Sequence, residues 1–392
     1  MIRMIFKTIL VYFSLILIRK KEKSCLIIAD FGVYGGTKTY FISLLDYLSV
    51  NGYNITALLS TKQIDEEIKT LQLKFRFEIE LLDFDIWRTH FKAPIRNKLN
   101  KQFLLYQLNE LQYFWKIIRR LKFSHLIIST GNPEWLLFLI MSPCKVFYIL
   151  HTSTMDKLDA FKRLVINFFL CKKKQIIVVS NSAKLLILKN WTIQKNDSFI
   201  KVIYNYFEPS DVITAKVNNS IPTLLTIGST EYYKNPLFWF EVCKKVLTIY
   251  NEPINFIWAG EGSQYNQCLL LADKYPQIKF IGYVKDVDRL YQNCTIYFQP
   301  SILESHGISV LGAMYHSKPC VVSNKGGLVE SVIDDLTGFI VQIDSITASV
   351  NAIMSILSNL DKGESMGRNG KTRCNSTFTK ELWIEKMNQI FQ

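Results

Sequence analysis

The chain has 392 residues, of which 49% are hydrophobic, 13% aromatic and 20% charged; this supplies two ordinary cores and excludes a disordered or fibrous protein. No segment is low in complexity and no fixed period repeats, which excludes solenoids and propellers. The net charge of +14 is uneven: residues 1–205 carry 31 Lys/Arg against 15 Asp/Glu, and residues 206–392 carry 16 against 18. The whole cationic excess therefore lies in the first half, where it suits anionic lipid or nucleic acid.

Residues 9–18 are almost wholly apolar, preceded by Arg3 and Lys7 and followed by Arg19, Lys20, Lys21 and Lys23. The run is short for a membrane span of about twenty residues, and no small-residue cleavage site precedes the basic cluster. Residues 1–23 read as an interfacial leader whose lysines meet acidic lipid, with a signal anchor and a buried core helix as alternatives.

Beyond the leader, short runs rich in Ile, Val and Phe alternate with helical patterns, as in βαβ units with a parallel sheet. Strands are expected at 25–30, 55–60, 79–82, 126–129, 146–150, 176–179 and 202–204, then at 224–228, 255–260, 278–281, 295–299 and 320–323. The fold class is α/β: two tandem Rossmann-like, doubly wound domains, 24–208 and 223–375, joined by a polar linker at 209–222. Residues 376–392 form a C-terminal helix that has the option of crossing back to the first domain. Such sheets bind ligands at the carboxyl ends of their strands, so two facing domains would hold a reaction in the cleft between them.

Residues 87–122 interleave nine Lys/Arg with Trp87, Phe91, Phe103, Tyr106, Tyr113, Phe114 and Trp115. They fit a membrane-docking surface and equally a long helix with a solvated basic face. The eight cysteines form no C-x-x-C pair and no Cys/His cluster, and most sit in apolar runs. That argues against zinc and disulfides and for a reduced, cytosolic setting.

Gly35-Gly36-Thr37 follows the first strand and opens a helix, where glycines let backbone N–H groups approach an anion. It is neither G-x-G-x-x-G nor a Walker loop, which argues against NAD and ATP. The second half carries a denser series: Gly228, Lys234-Asn235, Gly260-Glu261-Gly262, Gly282-Tyr283-Val284, Pro300-Ser301-x-x-Glu304-Ser305-His306-Gly307, Gly326-Gly327-Leu328-x-Glu330 and Leu336-Thr337-Gly338-Phe339.

In this order and spacing the sequence resembles the retaining GT-B glycosyltransferases of the large family (family 4, group 1) that includes bacterial mannosyl- and glucosyltransferases acting on lipid-linked acceptors. The resemblance is dense over 220–345. It is thinner over 25–205, where Gly35-Gly36, His151, Val179-Ser180 and Ile203-Tyr204-Asn205 fall in the family's order. It implies metal-independent transfer of a sugar from a UDP- or GDP-linked donor to a lipid-linked or glycan acceptor, in surface polysaccharide assembly such as capsule or lipopolysaccharide. The leader and the charge asymmetry point to the inner face of the plasma membrane, with an anionic membrane surface as partner; no recognition helix or RNA-binding motif accompanies the charge, which argues against nucleic acid, and no cofactor is expected besides the nucleotide sugar.

The difficulty in that reaction is negative charge building on the departing diphosphate. The resemblance implies that Lys234 meets this charge and that Gly307 and Ile308 offer backbone N–H groups at a helix start. Glu304 would hold donor-sugar hydroxyls and His151 would sit beside the sugar. Gly228, Ser229, Asn235, Glu261 and His306 would complete the donor site, with Gly35, Gly36 and Thr37 forming the acceptor-side phosphate loop.

Two positions depart from the family. Ser229 stands where arginine is usual, with Lys325 as a candidate substitute, and Gly312 stands where the second glutamate of an E-x7-E pair holds the ribose. An active enzyme with altered donor contacts, a slow enzyme and a non-catalytic GT-B-fold binding protein in a glycan assembly complex all remain open on this sequence.

Overall fold

The computed structural model describes residues 22–31, 35–81, 120, 122–130, 133–151, 157–193, 197–209 and 221–391. The apolar core of the leader, nearly all of the 87–122 segment and most of the 209–222 linker lie outside the described residues. The chain divides into two compact units, Met1–Val178 with Lys184–Val202 and Val179–Ala183 with Ile203–Gln392.

The first unit is built on β1 (Ser24–Ala29), α1 (Gly36–Val50), β2 (Asn54–Leu59), α2 (Glu66–Phe75), β3 (Glu78–Leu81), β4 (His125–Ser129) and β5 (Lys145–Leu150). It continues through α3 (Ala160–Phe169), β6 (Lys174–Val178), α4 (Asn181–Asn190) and β7 (Ile200–Val202). The first turn of α4 belongs to the other unit. The seven strands run parallel in the order β3-β2-β1-β4-β5-β6-β7. Ile27 pairs with both Ala57 and Ile127 in this register. β1 and β4 are buried along their whole length, which is why they read as continuous apolar runs rather than alternating ones. Helix starts follow local chemistry: Asp65 accepts from Ile68 N–H and Asp159 from Lys162 N–H, satisfying N–H groups that helix geometry leaves free.

The second unit contains β8 (Thr223–Ile227), α5 (Pro236–Leu247), β9 (Asn255–Ala259), α6 (Tyr265–Ala272), β10 (Ile278–Phe280), α7 (Val287–Asn293), β11 (Ile296–Gln299) and α8 (Ile308–Tyr315). After these come β12 (Cys320–Ser323), α9 (Leu328–Ser331), β13 (Gly338–Val341), α10 (Ile346–Leu357), α11 (Leu360–Thr377) and α12 (Lys380–Phe391). Its parallel sheet has the order β10-β9-β8-β11-β12-β13. The core is anchored by Trp239 set edge-on to Trp258, with ring centroids 5.4 Å apart, and by Phe280 against both rings. The order reverses between β8 and β11, and the crevice beyond the carboxyl ends of such strands is where open α/β sheets hold ligands.

Each expected strand is present, and β13 is an addition. The run at 202–204 becomes Ile200–Val202, because buried Ile200 pairs with Ile176. Tyr204 and Asn205, next in the chain, bond instead to Glu330 and His306. The first unit therefore gives way to the second at Ile203 rather than at 209, with an earlier excursion at Val179–Ala183. The C-terminal helix α12 packs within the second unit, its Trp383 against Tyr206 with centroids 5.8 Å apart.

Candidate active site

The site is assembled where β8 and β11 end. After β8 the chain passes Gly228 and Ser229 into a 3-10 turn, Tyr232–Lys234, closed by Asn235 in the left-handed region (φ 65°, ψ 46°). Asn235 Nδ2 donates to Asp344 Oδ1 at 3.0 Å, and Pro236 opens α5. Asparagine tolerates this backbone region and proline is pre-set for a first helical turn, so Lys-Asn-Pro fixes where the lysine stands. The Lys234 stem passes over Gly228, 3.9 Å from where a Cβ there would be.

Lys234 Nζ lies 2.5 Å from Glu304 Oε2, with the two side chains 16% and 12% exposed. Glu304 is positioned from both sides. Its carbonyl accepts from Gly327 N–H at 3.0 Å, and a Cβ on Gly326, at φ 55°, would stand 1.8 Å from that carbonyl oxygen. The glycine pair thus exists to let the loop after β12 press against the Glu304 backbone. A buried relay supports the same place: Tyr297 hydroxyl donates to Gln299 Oε1 (2.7 Å), Gln299 Nε2 to Ser301 Oγ (2.7 Å), and Ser301 Oγ to Glu304 Oε2 (3.4 Å).

Gly307, at φ 86° and ψ 65°, begins α8 with no side-chain cap. The first N–H groups of that helix, with the positive end of its dipole, are left for an anion. A cation, an anchored carboxylate and an uncapped helix start thus share one stretch of the second unit.

His306 is 1% exposed. Its Nδ1 accepts from Asn205 N–H at 3.3 Å and its ring stacks on Tyr204 with centroids 5.0 Å apart. Burial pushes its imidazole down to about 4, so it is neutral at pH 7 with its proton on Nε2. Its surroundings are those of a packing residue that ties Tyr204–Asn205 to the Glu304 loop. Glu261 is exposed and accepts from Tyr283 N–H at 3.3 Å. Ser229 and Lys325 are half-buried, and Ile308 forms the first residue of α8.

The space beside Gly312 is filled. A Cβ there would stand 2.7 Å from ring atoms of Tyr291, whose hydroxyl donates to Ser309 O at 2.8 Å. A buried ring therefore packs against α8 at the Gly312 position.

Glu330 is a hub that the motif alone did not reveal. It accepts from Asn181 N–H (2.8 Å), Ser182 N–H (2.7 Å) and Tyr204 hydroxyl (2.9 Å). Burial raises its carboxyl, and these donors, Ser182 foremost, more than offset that and hold it below the usual range. Its spacing after Gly326-Gly327 was visible; its partners, 126 to 149 residues earlier in the chain, were not.

In the first unit His151 follows β5, with Nε2 2.8 Å from Ser129 Oγ at the end of β4 and its ring 4.3 Å from that of Tyr40 on α1. Burial pushes its imidazole down to about 4. Gly35, at φ 114°, begins α1 without a side-chain cap, and its carbonyl accepts from Lys38 and Thr39 N–H. Gly36 is exposed and Thr37 half-buried on the first turn. Lys38 is turned inward, bridging Asp65 and Glu67 at 2.6 Å each. Among the described residues no three His, Cys, Asp or Glu side chains gather as a metal-ligand set.

The family model described as "Glycosyl transferases group 1" matches residues 213–373. Among curated relatives, the alpha-1,3/1,6-mannosyltransferase ALG2 of Dictyostelium discoideum is 33% identical over 97 residues, covering 25% of this chain and 23% of that protein. The UDP-Gal:alpha-D-GlcNAc-diphosphoundecaprenol alpha-1,3-galactosyltransferase of Escherichia coli is 22% identical over 186 residues, 46% of this chain and 47% of that protein. The aligned parts thus span less than half of either relative. Among solved structures, a glycosyltransferase of Rickettsia africae superposes with a TM-score of 0.76 at 19% identity, covering 95% of this chain and 98% of that one. The Anabaena HepE protein in complex with UDP and glucose superposes with a TM-score of 0.71 at 15% identity, covering 94% and 99%. Sequence match and fold agree that the second unit carries the glycosyl transferases group 1 pattern, within a two-sheet GT-B architecture.

Proposed function

We propose that this chain is a glycosyltransferase that moves a sugar from a nucleoside diphosphate to a glycan acceptor, with a lipid-linked acceptor as the finer reading. One observation carries it: the Lys234–Glu304 pair stands beside an uncapped helix start at the switch point of the second sheet. Lys234 and the first N–H groups of α8 meet the charge that develops on the leaving diphosphate, where preorganised cations and amides act most strongly. Glu304, released from Lys234 when the phosphate arrives, accepts hydrogen bonds from donor-sugar hydroxyls. Neutral His151, oriented by Ser129, serves the acceptor side together with the Gly35-Gly36-Thr37 turn. Retention of configuration and independence from metal belong to the same reading as the resemblance implies them, and peripheral membrane association is supported by the basic first half. No helix among the described residues is long and apolar enough to cross a membrane.

A second reading, a binding protein without turnover, is favoured by Ser229 and by the Tyr291 ring packed against Gly312. A thermal-shift panel of UDP- and GDP-sugars identifies the donor, because a ligand bound only by the folded state at 100 times its Kd adds about 2.7 kcal/mol. Release of free nucleotide, with or without acceptor, then separates the readings: binding with no turnover at all rejects the enzyme. Failure of every nucleotide sugar to raise the transition rejects both.

A further inference from the structure

Helix α3 is apolar on two opposite sides. Val165, Ile166 and Leu170 are buried, while Leu164 and Phe168 are 67% and 77% exposed. The outward positions Ala160, Leu164 and Phe168 are exposed and follow at intervals of four, so they form one stripe about 12 Å long on the helix surface, and the exposed Lys157 and Lys172 stand three residues before and after the helix. A single-sided amphipathic helix places polar residues on such a face. Here it carries a leucine and a phenylalanine with a lysine at each end, and Lys173 beside the second of these.

The charge around the stripe is one-sided. Residues 157–201 contain ten Lys/Arg and two acidic residues, Asp159 and Asp197. Asp159 already caps α3 and faces Lys162 at 3.7 Å. Lys174 turns inward to the carbonyls of Ile140 and Ser142, whereas Lys172 and Lys173 face solvent. Lys145, at the start of β5, is held below the usual lysine range by burial and then by Lys173 and Lys172, which marks cations crowded at the starting end of that strand. On α4, just after which Thr192 O accepts from Asn167 Nδ2 of α3 at 3.3 Å, Leu185 is also 66% exposed.

We propose that this face of α3 docks on an anionic lipid bilayer, with Leu164 and Phe168 entering the acyl boundary and Lys157, Lys172 and Lys173 meeting headgroup phosphates. Lysine stems lie along apolar surface while their ammonium groups reach outward, which matches an interface that is apolar in depth and negative at its rim. A nucleic-acid backbone satisfies the lysines and leaves the two large apolar side chains without a partner. A second copy brings like charge against like charge. Docking through this face requires neither donor nor acceptor.

The test is co-sedimentation of the full chain with vesicles of phosphatidylcholine alone or with about a third phosphatidylglycerol. Leu164→Ser/Phe168→Ser is expected to lower partition to the anionic vesicles at least about tenfold, with an unchanged circular dichroism spectrum, because both side chains are exposed. Lys172→Glu/Lys173→Glu is expected to lower it by a similar factor on anionic vesicles and not on neutral ones. The leader is present in every variant, so equal partition of the wild type and both variants overturns the proposal whatever the leader contributes. Vesicle binding unchanged, together with duplex DNA binding lost in Lys172→Glu/Lys173→Glu, assigns the face to nucleic acid and overturns it. So does a dimer in sedimentation velocity that Leu164→Ser/Phe168→Ser dissolves while vesicle binding persists. Donor turnover, measured separately without vesicles, is expected to stay at the wild-type rate in both variants.

Discussion

Replacing Lys234 by methionine keeps most of the side-chain length and deletes the charge. Glu304 then retains Ser301 Oγ, at 3.4 Å, as its remaining side-chain donor, in a place where it is 12% exposed. Breaking a fully buried pair costs about 3–5 kcal/mol and an exposed one about 0–1 kcal/mol. The intermediate burial puts Lys234→Met near 2 kcal/mol, roughly a 4–8 °C fall in the thermal transition of a domain of this size. Glu304→Gln in the same background removes the stranded charge, so the double variant is expected to recover about 1–2 kcal/mol relative to additivity. Catalysis does not recover with it: losing the cation that faces the leaving group is expected to lower kcat about 10²–10³-fold in both the single and the double variant. Scanning calorimetry and a nucleotide-release assay on the four proteins of the cycle check this. Additive stabilities, with a coupling below about 0.5 kcal/mol, refute the pair; wild-type turnover in Lys234→Met refutes its role at the diphosphate.

His306 titrates at about 4 in the folded chain against 6.5 ordinarily. The unfolded state therefore binds the extra proton first, and stability falls as pH drops from 6.5 toward 4. His306→Phe is expected to flatten that limb of the pH–stability profile by on the order of 3 kcal/mol, while an unchanged slope refutes the packing role. Gly312→Glu alone is expected to lower stability and leave donor affinity unimproved, because Tyr291 occupies the space. Gly312→Glu with Tyr291→Ala tightens nucleotide binding in isothermal titration; no gain in the double variant refutes the account of the missing carboxylate.

Most strands were legible because both faces of a parallel sheet are buried, and burial writes itself as Ile, Val and Phe runs such as 25–30 and 126–129. β13 was not, since the middle residues of Gly338–Val341 are only partly buried and the strand opens on a glycine, a residue depleted in strands. The turn glycines were visible as motifs, but not the reason for each. Gly326 and Gly327 are needed by the backbone of Glu304 and Ser305, some twenty residues away in sequence, and no local pattern announces such an approach. His306 was legible as part of the Glu304–Gly307 motif; its burial beneath Tyr204 depends on a segment a hundred residues earlier.

The sequence alone determined the alternation that makes two parallel sheets, the concentration of positive charge in the first half and the glycine, lysine and glutamate motifs of the second half. These follow from local composition and spacing, which act before any long-range contact forms. The tertiary structure alone decided that Lys234 pairs with Glu304, that Glu330 gathers the first turn of α4, that Tyr291 fills the place beside Gly312 and that α3 bears a second apolar face. Each of these depends on which side chains are brought within a few ångströms across tens to hundreds of residues. Hydrogen bonding and exclusion of volume operate at that range, and sequence spacing does not encode it.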